Sequence, residues 1–152
     1  MIAIESKLQL VSSDIFHSEI SFNASRLSHG EVIEKMNKVP VDIDFDVKRS
    51  SKGDLFVFAS VRINSHEDAD FGYSIHVSGA TLFTFAEGMS ENEREDFIGS
   101  AVSISITNLR NYINNTTSYY PLGSFSFHSI DMKALFDAKA NKKSEYDIED
   151  DE

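Results

Sequence analysis

The chain has 152 residues, of which 41% are hydrophobic and 26% charged, a composition typical of one globular domain with a substantial core. Its net charge of −11 argues against a nucleic-acid partner, because phosphates would be repelled over most of the surface. The absence of cysteine excludes disulfides, thiolate nucleophiles and thiolate metal sites.

Alternating apolar and polar residues predict about four antiparallel strands, arranged as a meander, before residue 85. KLQL and EISFN form pieces of one bent strand, with Ile20 and Phe22 pointing inward. VPVDIDFDV and DLFVFASVRIN, joined by the turn RSSKGD, predict a hairpin over residues 39–64. YSIHVSGATLFTF predicts the last strand, with a bulge or bend at Gly79.

The segment AVSISITNLRNYINNTTS, residues 101–118, contains two conflicting patterns. Its first half alternates Val and Ile with Ser and Thr, as in a half-buried strand. Its second half repeats apolar residues at three- and four-residue spacing, as on one face of a helix. Just before it, Ser90 and Glu93 fit a capping box, which predicts a helix start there.

The C-terminal part predicts a short helix and a charged tail. Asp131 is expected to cap the helix MKALFDAKANKK, which follows a turn marked by Pro121 and Gly123. The acidic run EYDIEDDE predicts a disordered tail over residues 145–152, after a single domain over residues 1–144. Strands first and helices second predict an α+β fold with an antiparallel sheet covered on one face.

Residues with catalytic or metal-binding chemistry form no recognisable motif. The five histidines lack metal-ligand spacing; His17, His29 and His66 fall in predicted loops, and His76 points outward from a strand. Hard cations need six or more oxygens from a wrapping loop, so a row of aspartates on one strand predicts a solvated face. We therefore expect no enzyme, no cofactor and no metal. No leader peptide or 18-residue apolar run is seen, which predicts a cytoplasmic protein without membrane insertion.

The chain has more large apolar side chains than one face of a single sheet can bury. Twelve phenylalanines are present, and Phe56 and Phe58 lie on the strand face opposite Val57 and Ala59. Either loops supply a second core layer, or a subunit or a client chain covers the extra surface.

The order of these segments resembles the SecB protein-export chaperones over about residues 8–136. SEISFN is similar to the first-strand motif of that family, and the acidic-apolar hairpin and YSIHVSGATLF are similar to its next strands. AVSISITNLRNYINNTTSYYPLGSFSFHSIDMKALF is similar to its long helix, Pro-bearing loop and final helix. Each motif alone is weak, and the ordered set carries the resemblance.

The resemblance implies a four-stranded antiparallel sheet with a long helix on one face and a short C-terminal helix. It implies a homotetramer, a dimer of dimers, that holds unfolded polypeptides in apolar grooves without ATP, either for protein export or for protection of one client such as an antitoxin. The client-groove candidates are Ile20, Phe22, Phe83, Leu109, Tyr112, Ile113, Tyr120, Phe125 and Phe136. For each of these, a place in the core is an equally good interpretation.

With this resemblance we assign residues 101–118 to one long helix, since the helix penalty of β-branched residues is modest and packing overrides it. One predicted stripe comprises Val102, Ile106, Leu109, Ile113 and Thr116, which should meet the sheet. The second stripe, expected to meet a partner subunit, comprises Phe97, Ala101, Ile104 and Asn108.

The family uses an acidic sheet face to dock the SecA translocation motor. The candidates for such a face here are Glu19, Asp42, Asp44 and Asp46. Asn23 and His76 replace two acidic residues of the family motif, which weakens the case for SecA as a partner. Two other functions remain open: a small-molecule-binding protein with its pocket under the long helix, and an oligomeric adaptor that binds no client.

Overall fold

Four antiparallel strands form one sheet: β1 (Leu8–Asn23), β2 (Val41–Arg49), β3 (Leu55–Ile63) and β4 (Gly72–Phe85). The computed structural model describes the backbone of residues 1–149 and the side chains of residues 1–143. The strand order is β1-β4-β3-β2. Strands β2 to β4 form the predicted meander, whereas β1 pairs with β4 at the far edge, because residues 24–40 carry the chain across the sheet.

That crossing contains a helix which the sequence patterns did not predict, α1 (His29–Met36). It begins with a capping box: the Glu31 N–H donates to Ser28 Oγ at 3.3 Å, and the Ser28 N–H donates to the Glu31 carboxylate at 2.8 Å. The spacing of Ser28 and Glu31 was therefore the available signal for this helix. Its buried Val32 and Met36 pack beside Gly72 of β4.

The ambiguous segment lies within one helix, α3 (Ile98–Thr117), as assigned. The hydroxyls that suggested a strand bond back along the helix, a pattern that satisfies Ser and Thr in helical backbone. Ser105 and Thr107 donate to the carbonyl four residues earlier at 2.8 and 2.9 Å, and Thr117 at the end of the helix does the same at 2.7 Å. The predicted cap at Ser90 is also confirmed, but it starts a separate short helix, α2 (Glu91–Asp96), and Phe97 joins it to α3.

The core lies between α3 and the sheet face that we call the inner face. The predicted inner stripe of α3 is confirmed for its four aliphatic residues, and Thr117 is buried in place of Thr116. Opposite them lie the fully buried side chains of the sheet, Leu55, Val57, Val61, Ile75, Val77 and Phe83. Removing this apolar area from water is the main stabilising contribution to the fold.

Gly79 lies in β4 at the closest approach of three elements. A Cβ at this position would stand 2.8 Å from the Asp14 carbonyl oxygen and 3.1 Å from Leu109 Cδ2. The irregularities expected near Gly79 occur in the facing strand, where the β1 register shifts between Leu10 and Ser12 and between Ile15 and His17. Gly79 therefore permits close packing, while the bulges belong to β1.

The last helix is α4 (Met132–Glu149). Its predicted cap is confirmed, since the Ala134 N–H donates to the Asp131 carboxylate at 3.0 Å. The helix continues past its predicted end at Lys143, so the predicted tail over residues 145–152 begins inside α4 and ends at residues 150–152, outside the described residues. Its disorder stays a prediction. Among the described residues, no helix combines the length and apolar character that a bilayer crossing requires.

Candidate functional site

Polar side chains join α3 and the turn after it to β1, along a line that we call the β1–α3 seam. The three bonds are Asn108 Nδ2 to Ser13 Oγ (3.2 Å), Tyr112 Oη to Ser18 Oγ (2.9 Å) and Tyr120 Oη to the Ile20 carbonyl oxygen (2.9 Å). Residue numbers rise together on both sides, so α3 and β1 run in the same direction. The seam therefore follows the middle of the edge strand, over residues 13–20.

An aromatic cluster closes one end of the seam, with Tyr73 at its centre. The ring centroid of Tyr73 lies 6.0 Å from that of Phe22, 5.9 Å from Tyr120 and 6.0 Å from Phe125. The Tyr73 hydroxyl donates to the Gly123 carbonyl at 2.6 Å, and burial raises the pKa of Tyr73 above its usual value of 10.0. Tyr73 was not among the site residues that the sequence predicted.

A cavity of about 200 Å³ borders this cluster on the side of α1. Ile33 of α1 is partly exposed there, and Phe125 forms part of the opposite wall. The lining residues are Ile33, Met36, Asn37, Tyr73, Leu122, Ser124, Phe125 and Ser126. The contribution of α1 was missed because the helix itself was not predicted.

The predicted groove residues divide into three groups. Those that meet at the seam and its aromatic end, all half-buried, are Ile20, Phe22, Tyr112, Tyr120 and Phe125. Phe83, Leu109 and Ile113 are buried in the core of this chain, the alternative that the sequence left open. Phe136 lies at the opposite edge of the sheet, where its ring packs 5.0 Å from that of Phe45.

The predicted interface stripe of α3 is only partly available at the surface. Ala101 is fully buried within this chain, so it offers no surface to a partner. Asn108 bonds to β1, and Phe97 is half-buried against the core. Ile104 is the apolar member that remains exposed. The stripe is divided because Ala101 packs into the core and Asn108 bonds to β1, while Ile104 stays exposed.

The predicted acidic residues do not form one patch. Glu19 lies on β1 and the three aspartates lie on β2, at opposite edges and about 14 Å apart across three inter-strand spacings. Lys139 of α4 donates to Asp44 at 2.8 Å, and this hydrogen bond is the largest cause that lowers the pKa of Asp44 below its usual 3.8. Asp42 stands opposite Arg62 in the register.

The outer face of the sheet, turned away from α3, gathers histidines that the sequence placed apart. His17 lies within β1 and His29 is the first residue of α1, so the prediction that these two histidines lie in loops was wrong. The His17 and His76 rings lie 4.5 Å apart, and Glu19 stands opposite His76. Burial, followed by the charges of Arg62 and His17, lowers the pKa of His76 below its usual 6.5, and Glu19 acts in the other direction.

Comparison with known proteins supports the fold. No family model and no curated protein matches the chain. Among solved structures, it is similar to the Mycobacterium tuberculosis SecB-like chaperone Rv1957, solved in complex with a ChAD peptide from the Rv1956 HigA1 antitoxin. The TM-score is 0.51 at 12% identity, over 82% of this chain and 91% of that one. A Streptococcus agalactiae protein of unknown function aligns at a TM-score of 0.37 and 11% identity, over 84% of this chain and 100% of that chain. The chain thus has the α+β fold of a SecB-like chaperone.

Proposed function

We propose that this chain is an ATP-independent holdase chaperone that binds unfolded or aggregation-prone polypeptides along the β1–α3 seam. The fold shared with a SecB-like chaperone supports this proposal, and so does that neighbour's complex with an antitoxin peptide. A holdase needs only to bind unfolded chains in preference to folded ones, which shifts a folding equilibrium by mass action. The proposal therefore includes no enzymatic activity and no cofactor.

The observation that carries the proposal is the long edge strand with apolar side chains beside it. β1 has 16 residues and forms one edge of the sheet. Leu10 and Val11 in β1 are about half exposed. An edge strand presents backbone N–H and C=O groups that an extended peptide can pair with, and these bonds do not depend on the peptide's sequence.

The aromatic end of the seam supplies the specificity that backbone pairing lacks. Phe22 and Phe125 both pack against Tyr73, and α1 lines part of the adjoining cavity. Aromatic walls provide large contact areas that tolerate different apolar side chains. A client segment with one or two large apolar residues would therefore be held at this end and extended along β1.

We infer a dedicated, basic client, such as an antitoxin, rather than delivery to the SecA motor for export. The net charge of −11 attracts basic segments. A docking face for a motor would need a continuous acidic surface, whereas Glu19 lies at the far edge from the aspartates and Lys139 pairs with Asp44. A dedicated client needs no such face.

We further propose that the chain assembles as a homotetramer in the cytoplasm. The exposed Ile104 on α3 supports contact between helices of different subunits, since apolar residues on an assembled helix face are normally covered. Light scattering tests this part: a stable monomer at micromolar concentration would contradict it.

The experiment for the chaperone activity measures binding to a permanently unfolded protein, reduced carboxymethylated α-lactalbumin, without nucleotide. We expect binding, and we expect the chaperone to suppress aggregation of a second, thermally unfolded protein. Val11→Glu should weaken binding by about tenfold or more, since it puts a charge where apolar surface is buried. Ser51→Glu adds the same charge in the exposed turn between β2 and β3, and should bind as the wild type does.

The same experiment separates the alternatives. A tetramer that binds no unfolded chain would favour the adaptor, and the holdase would be rejected. The small-molecule alternative placed its pocket under α3, but the cavity at the aromatic cluster is lined by α1, β4 and the loop after α3. Its volume of about 200 Å³ is below the roughly 300 Å³ at which ligand pockets usually begin.

A further inference from the structure

Two imidazoles and a carboxylate meet on the outer face of the sheet, away from the β1–α3 seam. Glu19 of β1 stands opposite His76 of β4, and His17 lies two residues earlier on the same side of β1. The potential ligand atoms of the three residues all lie within 4.8 Å of one another. Neither neighbouring strand alone carries this set, which is why sequence spacing did not reveal it.

The separations are close to those of a bound metal ion. With bonds of 2.0–2.1 Å, a tetrahedral zinc ion keeps its ligand atoms about 3.4 Å apart. His17 Nε2 already lies 3.4 Å from Glu19 Oε1. Rotation of the side chains can bring the ligand atoms to zinc-binding distances. Glu19 can rotate in this way because 72% of its side chain is exposed.

The environment of His17 is compatible with a bound ion. Its Nε2 atom is shielded from solvent and makes no hydrogen bond, and the Glu19 carboxylate oxygen 3.4 Å away is the charged group beside it. Buried polar atoms in folded proteins almost always have a hydrogen-bond partner. A metal ion between Nε2 and the carboxylate would bond to both.

The surroundings leave room for a fourth ligand and contain one opposing charge. Glu19 and His76 line a cavity of about 620 Å³, which His66 and Glu67 of the β3–β4 connection also line. Arg62 of β3 stands beside His76 in the register and would repel a cation. Arg62 is exposed and has Asp42 on its other side, so its guanidinium can turn toward that carboxylate.

We propose that His17, Glu19 and His76 form a binding site for a divalent transition-metal ion of the zinc type. Two imidazoles and one carboxylate favour zinc over magnesium or calcium, which prefer oxygen ligands. Three protein ligands leave the fourth position open to water in the cavity, as in sites that exchange a ligand. The ion ties β1 to β4 directly after the β1 bulge at residues 15–17, where the strand ladder is interrupted.

Titration of the chelator-treated full chain with Zn²⁺ in a calorimeter tests the site, and Co²⁺ absorption reports its geometry. We expect one ion per chain, tetrahedral Co²⁺ bands and a higher melting temperature with Zn²⁺. His76→Ala and His17→Ala should each weaken binding by about tenfold or more, by loss of a ligand. His128→Ala removes an exposed histidine on the loop before α4 and should leave affinity unchanged.

Two results would overturn the site: no binding below millimolar Zn²⁺, or equal affinity in His76→Ala and the wild type. Glu19→Gln provides a test that does not depend on whether the histidine variants fold. The Glu19 carboxylate is exposed, so this variant should fold as the wild type does. If Glu19→Gln bound Zn²⁺ and Co²⁺ as the wild type does, the carboxylate would be no ligand and the proposed three-residue site would be wrong. Neither result changes the outcome of the client-binding assay, so the metal site can be rejected without rejecting the holdase function.

Discussion

Thr117 Oγ1, in the last residue of α3, accepts the N–H of Phe125 at 2.8 Å and donates to the Ile113 carbonyl at 2.7 Å. One buried hydroxyl thus connects the end of the long helix to the returning loop. Because Phe125 belongs to the aromatic cluster, this pair of bonds places part of the candidate client site.

Replacement of Thr117 by Val keeps the side-chain shape and removes both bonds. The Phe125 N–H then loses its partner, so we expect a loss of about 1–3 kcal/mol in the free energy of unfolding. Urea denaturation measures this loss, and client binding should weaken with it because Phe125 is released. Ser118→Ala, at an exposed neighbouring position, is the control, and an equal loss there would contradict the assignment.

Tyr73→Phe tests the centre of the aromatic cluster. The ring packing is retained, while the hydrogen bond to the Gly123 carbonyl is lost. The free energy of unfolding should therefore fall by about 1 kcal/mol. Tyr119→Phe changes the same atom on an almost fully exposed ring and should leave stability unchanged. Thermal or urea unfolding of the two variants gives the comparison, and equal stabilities would argue against a structural role for the Tyr73 hydroxyl.

Two glycine substitutions should change stability in opposite directions. Gly79→Ala places a Cβ against the Asp14 carbonyl oxygen, which is backbone and cannot move aside, so we expect destabilisation by about 1–3 kcal/mol. Gly99→Ala, in the first turn of α3, meets no atom within 4 Å and should stabilise by about 0.5–1 kcal/mol through helix propensity. Chemical denaturation of both variants tests the pair, and a Gly79→Ala variant at least as stable as the wild type would show that the close approach at Gly79 is not limiting.

The ion pair of Asp44 and Lys139 should make a small, pH-dependent contribution to stability. The pKa of Asp44 is lower in the folded state, so the contribution is present at neutral pH and is lost as pH falls below the usual value of 3.8. The Asp44 side chain is 62% exposed, which limits the contribution to about 1 kcal/mol or less. A double-mutant cycle with Asp44→Asn and Lys139→Met, at pH 7 and pH 3, should show weaker coupling at pH 3 than at pH 7. Coupling that is no weaker at pH 3 would contradict the assignment.

Local sequence patterns were sufficient to predict the elements that depend on contacts between near neighbours in the chain. The hairpin of residues 39–64, the capping box at Ser90 and the cap at Asp131 could be predicted because backbone hydrogen bonding and side-chain alternation act between near neighbours. α1 was missed although its Ser28 and Glu31 carry the same signal as Ser90 and Glu93, since no long apolar pattern follows.

Composition and periodicity by themselves determined the α+β class, the two predicted faces of the hairpin and the surplus of apolar side chains. Tertiary structure decided which strand pairs with β1, which residues of α3 are buried, and that His17, Glu19 and His76 meet. These outcomes depend on contacts between residues far apart in the chain. A periodic pattern states that a residue needs a partner, and only the packed fold determines which residue that partner is.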